Sequence, residues 1–279
     1  MFHRPLLIAL LAGTAHAQVE PHAGMLRYPD VGKTQIAFAY AGDIWQAPRA
    51  GGQATRLTTA PGSEAFPKFS PDDQTVAFLG NYEGNRDIYT IPTAGGVAFR
   101  VTHHPGAEVL CDWTNDGRLT FSLSGLAGLR RQSELYAVPA TGGMPTALPV
   151  PYGANGSLNA DGTWLTYTPH STDNRTWKRY RGGMATDVWL FNLKDNSSKQ
   201  ITTWEGTDTL PMWNGDKVYY LSDQGPEHRL NIWVYEGGKG RQVTTFKDFD
   251  VKWPSMGPGP GGKGEIVYQY GSGLFLLDL

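Results

Sequence analysis

The sequence predicts an all-β fold, a six-bladed β-propeller with four-stranded antiparallel blades and an incomplete last blade. A short phrase, in which an acidic, small or turn-forming residue precedes an aliphatic and then an aromatic residue, occurs six times: Asp43-Ile44-Trp45, Asp87-Ile88-Tyr89, Glu134-Leu135-Tyr136, Asp187-Val188-Trp189, Asn231-Ile232-Trp233 and Gly273-Leu274-Phe275. Its aliphatic members are 44, 47, 53, 44 and 42 residues apart, which is the period of one propeller blade. Such regular spacing predicts one domain of repeated blades.

The second blade shows how a blade is encoded. Apolar and β-branched stretches, separated by turn-forming residues, predict four strands at 66–69, 75–79, 87–91 and 99–102. The turn Ser70-Pro71-Asp72-Asp73 joins the first pair, and Thr93-Ala94-Gly95-Gly96 joins the last pair. Applied along the chain, this pattern predicts blades at about 24–62, 63–106, 107–153, 154–206, 207–249 and 250–279.

The other blades repeat the turn-forming sequences between their strands. In the first blade we assign Tyr28-Pro29-Asp30-Val31-Gly32 to the turn between the first and second strands. The sixth blade stops after Gly273 to Leu279, before a fourth strand. Either a strand near the N-terminus completes it, or the sequence is the front part of a longer protein, which we favour.

The aromatic members of the phrase are interpreted as structural. They occupy equivalent third-strand positions, where a large ring would fill the wedge between neighbouring sheets: Trp45, Tyr89, Tyr136, Trp189, Trp233 and Phe275. Function is therefore expected where the repeats differ.

The first 17 residues lie outside the repeat. Arg4, an apolar run from Leu6 to Ala12 and the small-x-small sequence Ala15-His16-Ala17 predict a signal peptide at 1–17, with the propeller at 18–279. This predicts a periplasmic or secreted protein, or a cytoplasmic one if the signal interpretation fails. No later segment approaches the roughly 20 apolar residues of a membrane span.

Composition excludes several classes of function. A net charge of −2 gives no reason to expect nucleic-acid binding. The single cysteine, Cys111, excludes an internal disulfide and is interpreted as a small buried side chain.

Gly257 to Gly264 matches a phosphate-binding loop through its lysine but lacks the Ser or Thr that holds magnesium, so it is interpreted as a turn. His103-His104 is a weak candidate for metal binding, because adjacent residues in an extended segment face opposite sides.

No local motif nominates a catalytic residue, a metal site or a cofactor. The chain contains no Gly-x-Ser-x-Gly elbow and no His-Glu-x-x-His helix motif. We therefore expect no catalytic residues in this segment, and no cofactor.

Blades three and four are longer than the others, and both insertions fall between the second and third strands. Residues 124–133 contain Arg130 and Arg131, and residues 169–186 contain Arg175, Lys178, Arg179 and Arg181. Both loops should lie on one face of the disc, where the six basic side chains would share a rim. An arginine pair suits a peptide C-terminus or an acidic partner, because guanidinium groups bind carboxylates in pairs. A solvated surface or a contact with another domain is the alternative.

The segment from Arg175 to Trp189 resembles the fourth blade of the N-terminal propeller of tricorn protease and its bacterial homologues. Its most specific part is Trp177-Lys178-Arg179-Tyr180-Arg181-Gly182-Gly183, and Met25 to Trp45 is similar to that family's opening blade. The blade pattern alone is shared with TolB-like propellers and with those of prolyl oligopeptidases.

This resemblance implies a large serine peptidase that trims short peptides, with a second propeller, a PDZ-like domain and catalytic domains following the first propeller. It also implies that Arg130 and Arg131, in the matching loop, hold the C-terminal carboxylate of peptide substrates. Partners would then be peptides, the downstream domains of the same chain and, in an assembly, further copies of the protein. The rival hypothesis is a TolB-like periplasmic propeller that binds a protein partner without catalysis.

Overall fold

The computed structural model describes residues 26–124 and 132–279, which form six antiparallel sheets in a ring. Five sheets have four strands in sequential order, and the sixth has three. The predicted all-β six-bladed propeller with an incomplete last blade is therefore confirmed. The expected signal peptide, Arg130 and Arg131 all lie outside the described residues.

The first three blades contain twelve strands in chain order. Blade one holds β1 (Arg27–Val31), β2 (Gln35–Tyr40), β3 (Asp43–Pro48) and β4 (Thr55–Arg56). Blade two holds β5 (Ser63–Phe69), β6 (Thr75–Asn81), β7 (Asp87–Pro92) and β8 (Phe99–Arg100). Blade three holds β9 (Ala107–Trp113), β10 (Arg118–Ser124), β11 (Ser133–Pro139) and β12 (Thr146–Ala147).

The remaining blades contain eleven strands and one short 3-10 helix. Blade four holds β13 (Ala154–Leu158), β14 (Trp164–Thr168), β15 (Trp189–Asn192) and β16 (Ser198–Gln200). Blade five holds β17 (Asp208–Asn214), β18 (Lys217–Ser222), β19 (Asn231–Glu236) and β20 (Lys239–Gln242). Blade six holds β21 (Val251–Gly257), the 3-10 helix Pro260–Gly262, β22 (Glu265–Tyr270) and β23 (Gly273–Asp278).

The aliphatic member of the repeated phrase forms the core. Five of the six are fully buried: Ile44, Ile88, Leu135, Val188 and Ile232. Apolar clusters join each blade to the next; Leu79 and Ile88 of blade two, for example, pack in one cluster with Leu110 and Phe121 of blade three. The core is therefore distributed between neighbouring sheets.

The structural role predicted for the aromatic member holds in five blades and is wrong for Phe275. In the complete blades the ring is buried or half-buried and pairs with a residue of the short fourth strand: Trp45 with Arg56, Tyr89 with Arg100, Tyr136 with Ala147, Trp189 with Gln200 and Trp233 with Gln242. Phe275 is 46% exposed, because β23 pairs with β22 on one edge and no described fourth strand covers the other edge.

The first strand of every blade contains a β-bulge. In five blades the bulged residue is not glycine yet has positive φ: Tyr28 (51°), Phe66 (54°), Asn155 (53°), Leu210 (50°) and Trp253 (49°). Blade three has its register shift at Cys111. A proline follows the bulge in four blades, at a position where the ladder needs no N–H donor. The turn assigned to Tyr28-Pro29-Asp30-Val31-Gly32 is therefore wrong: Arg27–Val31 is a strand, and the turn begins at Gly32.

A threonine and a carboxyl group repeatedly connect one blade to the next. Thr58 at the end of blade one bonds to Glu64 of blade two, and Ile44 N donates to both side chains. Thr102 repeats this, donating to Glu108 of blade three over 2.5 Å. Glu108 is 1% exposed and its second oxygen has no partner among the described residues, so burial raises its pKa to about 7.

Blade five carries the corresponding carboxyl group, Asp208, which is also 1% exposed. The hydroxyls of Thr202 and Ser222 lie beside it and oppose the effect of burial on its pKa. Neither forms a well-oriented hydrogen bond with it, so burial raises the pKa of Asp208 to about 7. These sites hold carboxyl groups that are easier to bury protonated than charged.

Polar contacts close the ring between blades six and one. Arg49 Nη2 lies 2.5 Å from Glu265 Oε2, and the Glu265 side chain is completely buried. On the inner side, Asp30 accepts hydrogen bonds from Ser255 and from Phe69 N, and Lys68 Nζ lies 3.5 Å from the same carboxyl group. Blades one, two and six are thus connected without strand exchange among the described residues.

Candidate binding site at the central channel

The six first strands surround a central channel of about 1010 Å³. Its lining includes the bulged residue of every blade: Tyr28, Phe66, Cys111, Asn155, Leu210 and Trp253. A bulge reorients a side chain without ending the strand. Each blade therefore contributes its bulged residue to the wall of the channel, together with neighbouring residues of the first strand.

One side of the channel is aromatic. The ring centroid of Tyr28 lies 4.0 Å from that of Phe66 and 4.8 Å from that of Trp253, and the last two are 5.4 Å apart. Their partial exposure leaves ring surface open to the channel. Such a cluster offers an apolar contact surface to a ligand.

The long loops of blades three and four meet this channel. As predicted, the insertions separate the second and third strands: β10 ends at Ser124 with β11 beginning at Ser133, and β14 ends at Thr168 with β15 beginning at Trp189. The channel lining includes Ser124, Gln132 and Ser133, which flank the blade-three loop, and residues 169–172, Asn174 and Arg175 of the blade-four loop. The bases of both loops therefore border one cavity.

Arg175 is the innermost basic residue of the blade-four loop. Its guanidinium donates to Thr172 Oγ1 (2.6 Å) and Thr207 Oγ1 (2.5 Å), and its Cζ lies 4.4 Å from the ring centroid of Trp177. Burial lowers the pKa of Arg175, although Asp173, Asp223 and Asp250 oppose this effect. No carboxylate of the described residues lies within 4.0 Å, so the groups in direct contact with the guanidinium are hydroxyls and an aromatic face.

The other three basic residues of the predicted rim bind groups of blades five and six. Lys178 Nζ lies 2.9 Å from Asp250 Oδ2, and Arg179 Nε donates to the His228 carbonyl (3.3 Å). Arg181 lies over Trp204 at 4.3 Å, with its guanidinium 3.1 Å from His228 Nδ1. These contacts hold the blade-four loop across the neighbouring blades.

A small side pocket opens where blades four, five and six meet. It has a volume of about 70 Å³ and shares Thr172, Arg175, Leu210 and Trp253 with the channel lining. Its cationic lining comprises Arg175, Lys178, Arg179, Arg229 and Lys252, and its anionic lining comprises Asp173, Asp223 and Asp250. The excess of cationic over anionic side chains makes the pocket electropositive.

Sequence reasoning missed Arg229, Lys252 and Trp253 as site residues. Arg229 follows a loop of blade five, and Lys252 and Trp253 sit on β21, in stretches with no unusual composition. Trp253 could have been found from the aromatic-proline pair that recurs at the bulges. Lys252 has no comparable signal.

The remaining candidates of the sequence have local structural roles. Cys111 lies on β9 and is half-buried at the channel wall, not fully buried as predicted; the desolvation there raises the pKa of its thiol to about 11, which leaves little thiolate at neutral pH. His104 Nδ1 accepts the Gly106 N–H (2.8 Å) in a turn. In residues 26–124 and 132–279, no three His, Cys, Asp or Glu side chains group so as to hold a metal ion.

The glycine- and proline-rich stretch at 257–264 connects β21 to β22, in agreement with its interpretation as a turn. No helix within the described parts of the chain has the length and apolarity required to cross a membrane.

The fold is that of a six-bladed β-propeller whose central channel is bordered by two long loops. Residues 23–279 match the model of the tricorn protease N-terminal beta propeller domain, and the chain belongs to this family. It is 34% identical to tricorn protease homolog 1 of Streptomyces coelicolor over 258 residues, which are 91% of this chain and 23% of that protein. The chain thus spans about a quarter of this curated relative.

Solved structures show the same fold. The crystal structure of the tricorn protease matches with a TM-score of 0.78 at 20% identity, over 92% of this chain and 25% of that one. A putative TolB from Agrobacterium tumefaciens matches with a TM-score of 0.69 at 15% identity, over 91% and 90% of the two chains. At these identities the likeness concerns the fold alone.

Proposed function

We propose that this chain is the N-terminal propeller of an exported tricorn-like serine peptidase acting on short peptides, where it gates and anchors the substrate. The observation that carries the proposal is the channel of about 1010 Å³ bordered by the bases of both long loops. Membership of the tricorn N-terminal propeller family and the 23% coverage of a tricorn protease homolog support further domains downstream. Catalysis would belong to those domains.

In this proposal Arg130 and Arg131 bind the C-terminal carboxylate of the peptide. Residues flanking their loop border the channel, and a guanidinium pair matches the two oxygens of a carboxylate. Fixing that end at a set distance from the downstream serine would orient the scissile bond and favour release of short C-terminal pieces. The basic side chains of the blade-four loop, Arg175 among them, would hold the opposite part of the rim in place.

Replacing both Arg130 and Arg131 by alanine in the full-length enzyme should lower kcat/KM for free-acid peptides at least tenfold. Cleavage of the same peptides with amidated C-termini should change little, since they carry no terminal charge to bind. Paired kinetics on the two peptide series measure the difference. Equal losses for both series would contradict anchoring.

Arg118→Ala provides a matched control for this double variant. Arg118 begins β10 of the same blade at the end opposite the loop, and it pairs with Asp116 at the surface. Its removal takes one positive charge from blade three without touching the channel. Both peptide series should therefore be cleaved as in the wild type.

Export is the second part of the proposal, and it predicts a mature N-terminus at Gln18. The short basic start, the apolar run and Ala15-His16-Ala17 support cleavage after Ala17. Mass spectrometry of the protein recovered outside the cytoplasm should show the loss of 17 residues, and Ala17→Gln should block processing. An intact N-terminus on cytoplasmic protein would contradict export.

A TolB-like periplasmic propeller that binds a protein partner without catalysis is the second candidate. It is favoured by the match to a putative TolB over 90% of that chain. The two candidates differ in the gene beyond Leu279. Several hundred further codons support the peptidase, whereas a stop codon soon after the sixth blade supports the binding module.

A further inference from the structure

We infer that the side pocket between blades four, five and six is a second anion site, which takes one carboxylate group of a ligand in the channel. The site is separate from the blade-three loop and consists of described residues only. It rests on the proposed function in one respect, that peptides are the ligands of the channel. The carboxylate could come from a peptide C-terminus or from an Asp or Glu side chain.

The charges of the pocket are unevenly neutralised. Lys178 is paired with Asp250, whose carboxylate also accepts Leu230 N. Asp223 accepts Trp204 Nε1 and Thr207 N, each over 2.8 Å. The pocket carboxylates are thus engaged by Lys178 or by uncharged donors.

Asp173 completes this set of engaged carboxylates. It accepts bonds from Asn155 (2.8 Å), Ser171 (2.6 Å) and Thr209 (2.8 Å), all of them neutral donors. Three donors hold the half-buried Asp173 carboxylate in position, so it is not free to swing towards a cation. The pocket cations other than Lys178 therefore lack a carboxylate partner among the described residues.

Lys252 is the pocket cation that most clearly lacks a partner among the described residues. Its ammonium group makes no hydrogen bond or ion pair with any described residue, and burial and the nearby Lys178 lower its pKa. Arg27 adds to this repulsion, whereas Asp250 opposes it. A bound carboxylate would relieve the repulsion and restore the favourable charged state of the ammonium.

Arg175 supplies the second half of the site. Two of its five N–H groups are engaged by the hydroxyls of Thr172 and Thr207, which leaves N–H donors for a ligand. Each threonine oxygen accepts from the arginine, so its own hydrogen is free to donate. Guanidinium, ammonium and hydroxyl groups together form the donor set that carboxylates prefer.

The size and position of the pocket restrict what can enter it. At about 70 Å³ it is far smaller than the roughly 300–1,000 Å³ of pockets that enclose whole drug-sized ligands, so it accommodates one small group. Its shared wall with the channel, Leu210 and Trp253, leads from the aromatic side of the channel into the pocket. A ligand in the channel could therefore insert a carboxylate while its apolar part contacts the rings.

The test is binding of unlabelled, N-acetylated pentapeptides to the chain, measured by isothermal titration calorimetry at low salt. Three peptides separate the sources of the carboxylate: a neutral sequence with a free C-terminus, the same sequence amidated, and the amidated sequence with one internal Glu. At least one carboxylate-bearing peptide should bind at least tenfold more tightly than the neutral amide. Lys252→Gln should remove that advantage, and Lys252→Arg should retain most of it.

Lys239→Gln is the matched control, since Lys239 is exposed on β20 and borders neither cavity. Because Lys252 is an exposed residue, neither Lys252 variant should lower the thermal midpoint, which checks folding. No preference for a carboxylate, an equal preference in Lys252→Gln, or no binding of any peptide would each overturn the inference. If Lys252→Gln has no effect while the Arg130 and Arg131 double variant loses free-acid cleavage, the side pocket is wrong and the proposed function stands.

Discussion

The free energy of unfolding of the propeller should rise by about 2 kcal/mol per buried carboxyl group as the pH falls from 8 to 5. Glu108 and Asp208 carry this effect, because burial raises the pKa of each to about 7. In the unfolded chain both have ordinary values near 4.5 and 3.8. Between these limits the folded state binds more protons, so its stability is greatest below the unfolded pKa and is lost as the pH rises through 7.

Glu108→Gln should abolish half of this dependence. Glutamine resembles the protonated acid, so the variant should match the wild type at pH 5 and exceed its stability at pH 8 by about 2 kcal/mol. Urea unfolding at the two pH values measures both quantities. Asp248→Asn, at an exposed position, should leave the pH dependence intact. A wild type whose stability is constant from pH 8 to 5 would show that the two carboxyl groups ionise normally.

Arg49→Met should destabilise the protein by about 3 kcal/mol, because it leaves the buried Glu265 without its cation. Glu265 lies on β22 and Arg49 directly follows β3, so this pair connects the first and last blades. Burial already raises the pKa of Glu265, and removal of Arg49 should raise it further. Thermal and urea unfolding at neutral pH measure the loss.

Two variants complete that experiment. Arg56→Met removes the ion pair between Arg56 and Asp43. Because the Arg56 side chain is 43% exposed, the free energy of unfolding should fall by less than about 1 kcal/mol. The double variant Arg49→Met, Glu265→Met should recover most of the stability, since no unpaired charge remains buried. Equal effects of Arg49→Met and Arg56→Met would indicate that the contact between blades one and six does not depend on this pair.

The blades could be predicted from the sequence because their signals are local. The repeated phrase and the glycine-rich turns identify third strands and hairpins within a few residues of each other, and the structure places strands there. The bulges were missed because proline after an aromatic residue also signals a turn, as at Tyr28-Pro29. Only the pairing of β1 with β2 separates the two interpretations.

The candidate site was less accessible to sequence reasoning. The two insertions stood out by length and charge, and their attachment points do border the channel. The partners of the basic side chains could not be predicted, because Lys178 meets Asp250 and Arg181 meets His228 across blade boundaries. The side pocket depends on three blades at once, and no single segment encodes it.

Four of the six bulged residues contact both the channel and the core. Residues that stabilise the sheets, such as Ile44, point into the spaces between blades, whereas the six bulged residues face the channel. Tyr28 and Leu210 also pack against apolar clusters of the core, so a change of side chain there would alter both what the channel contacts and the packing behind it. New ligand preferences at these positions would therefore come with compensating changes in the neighbouring core.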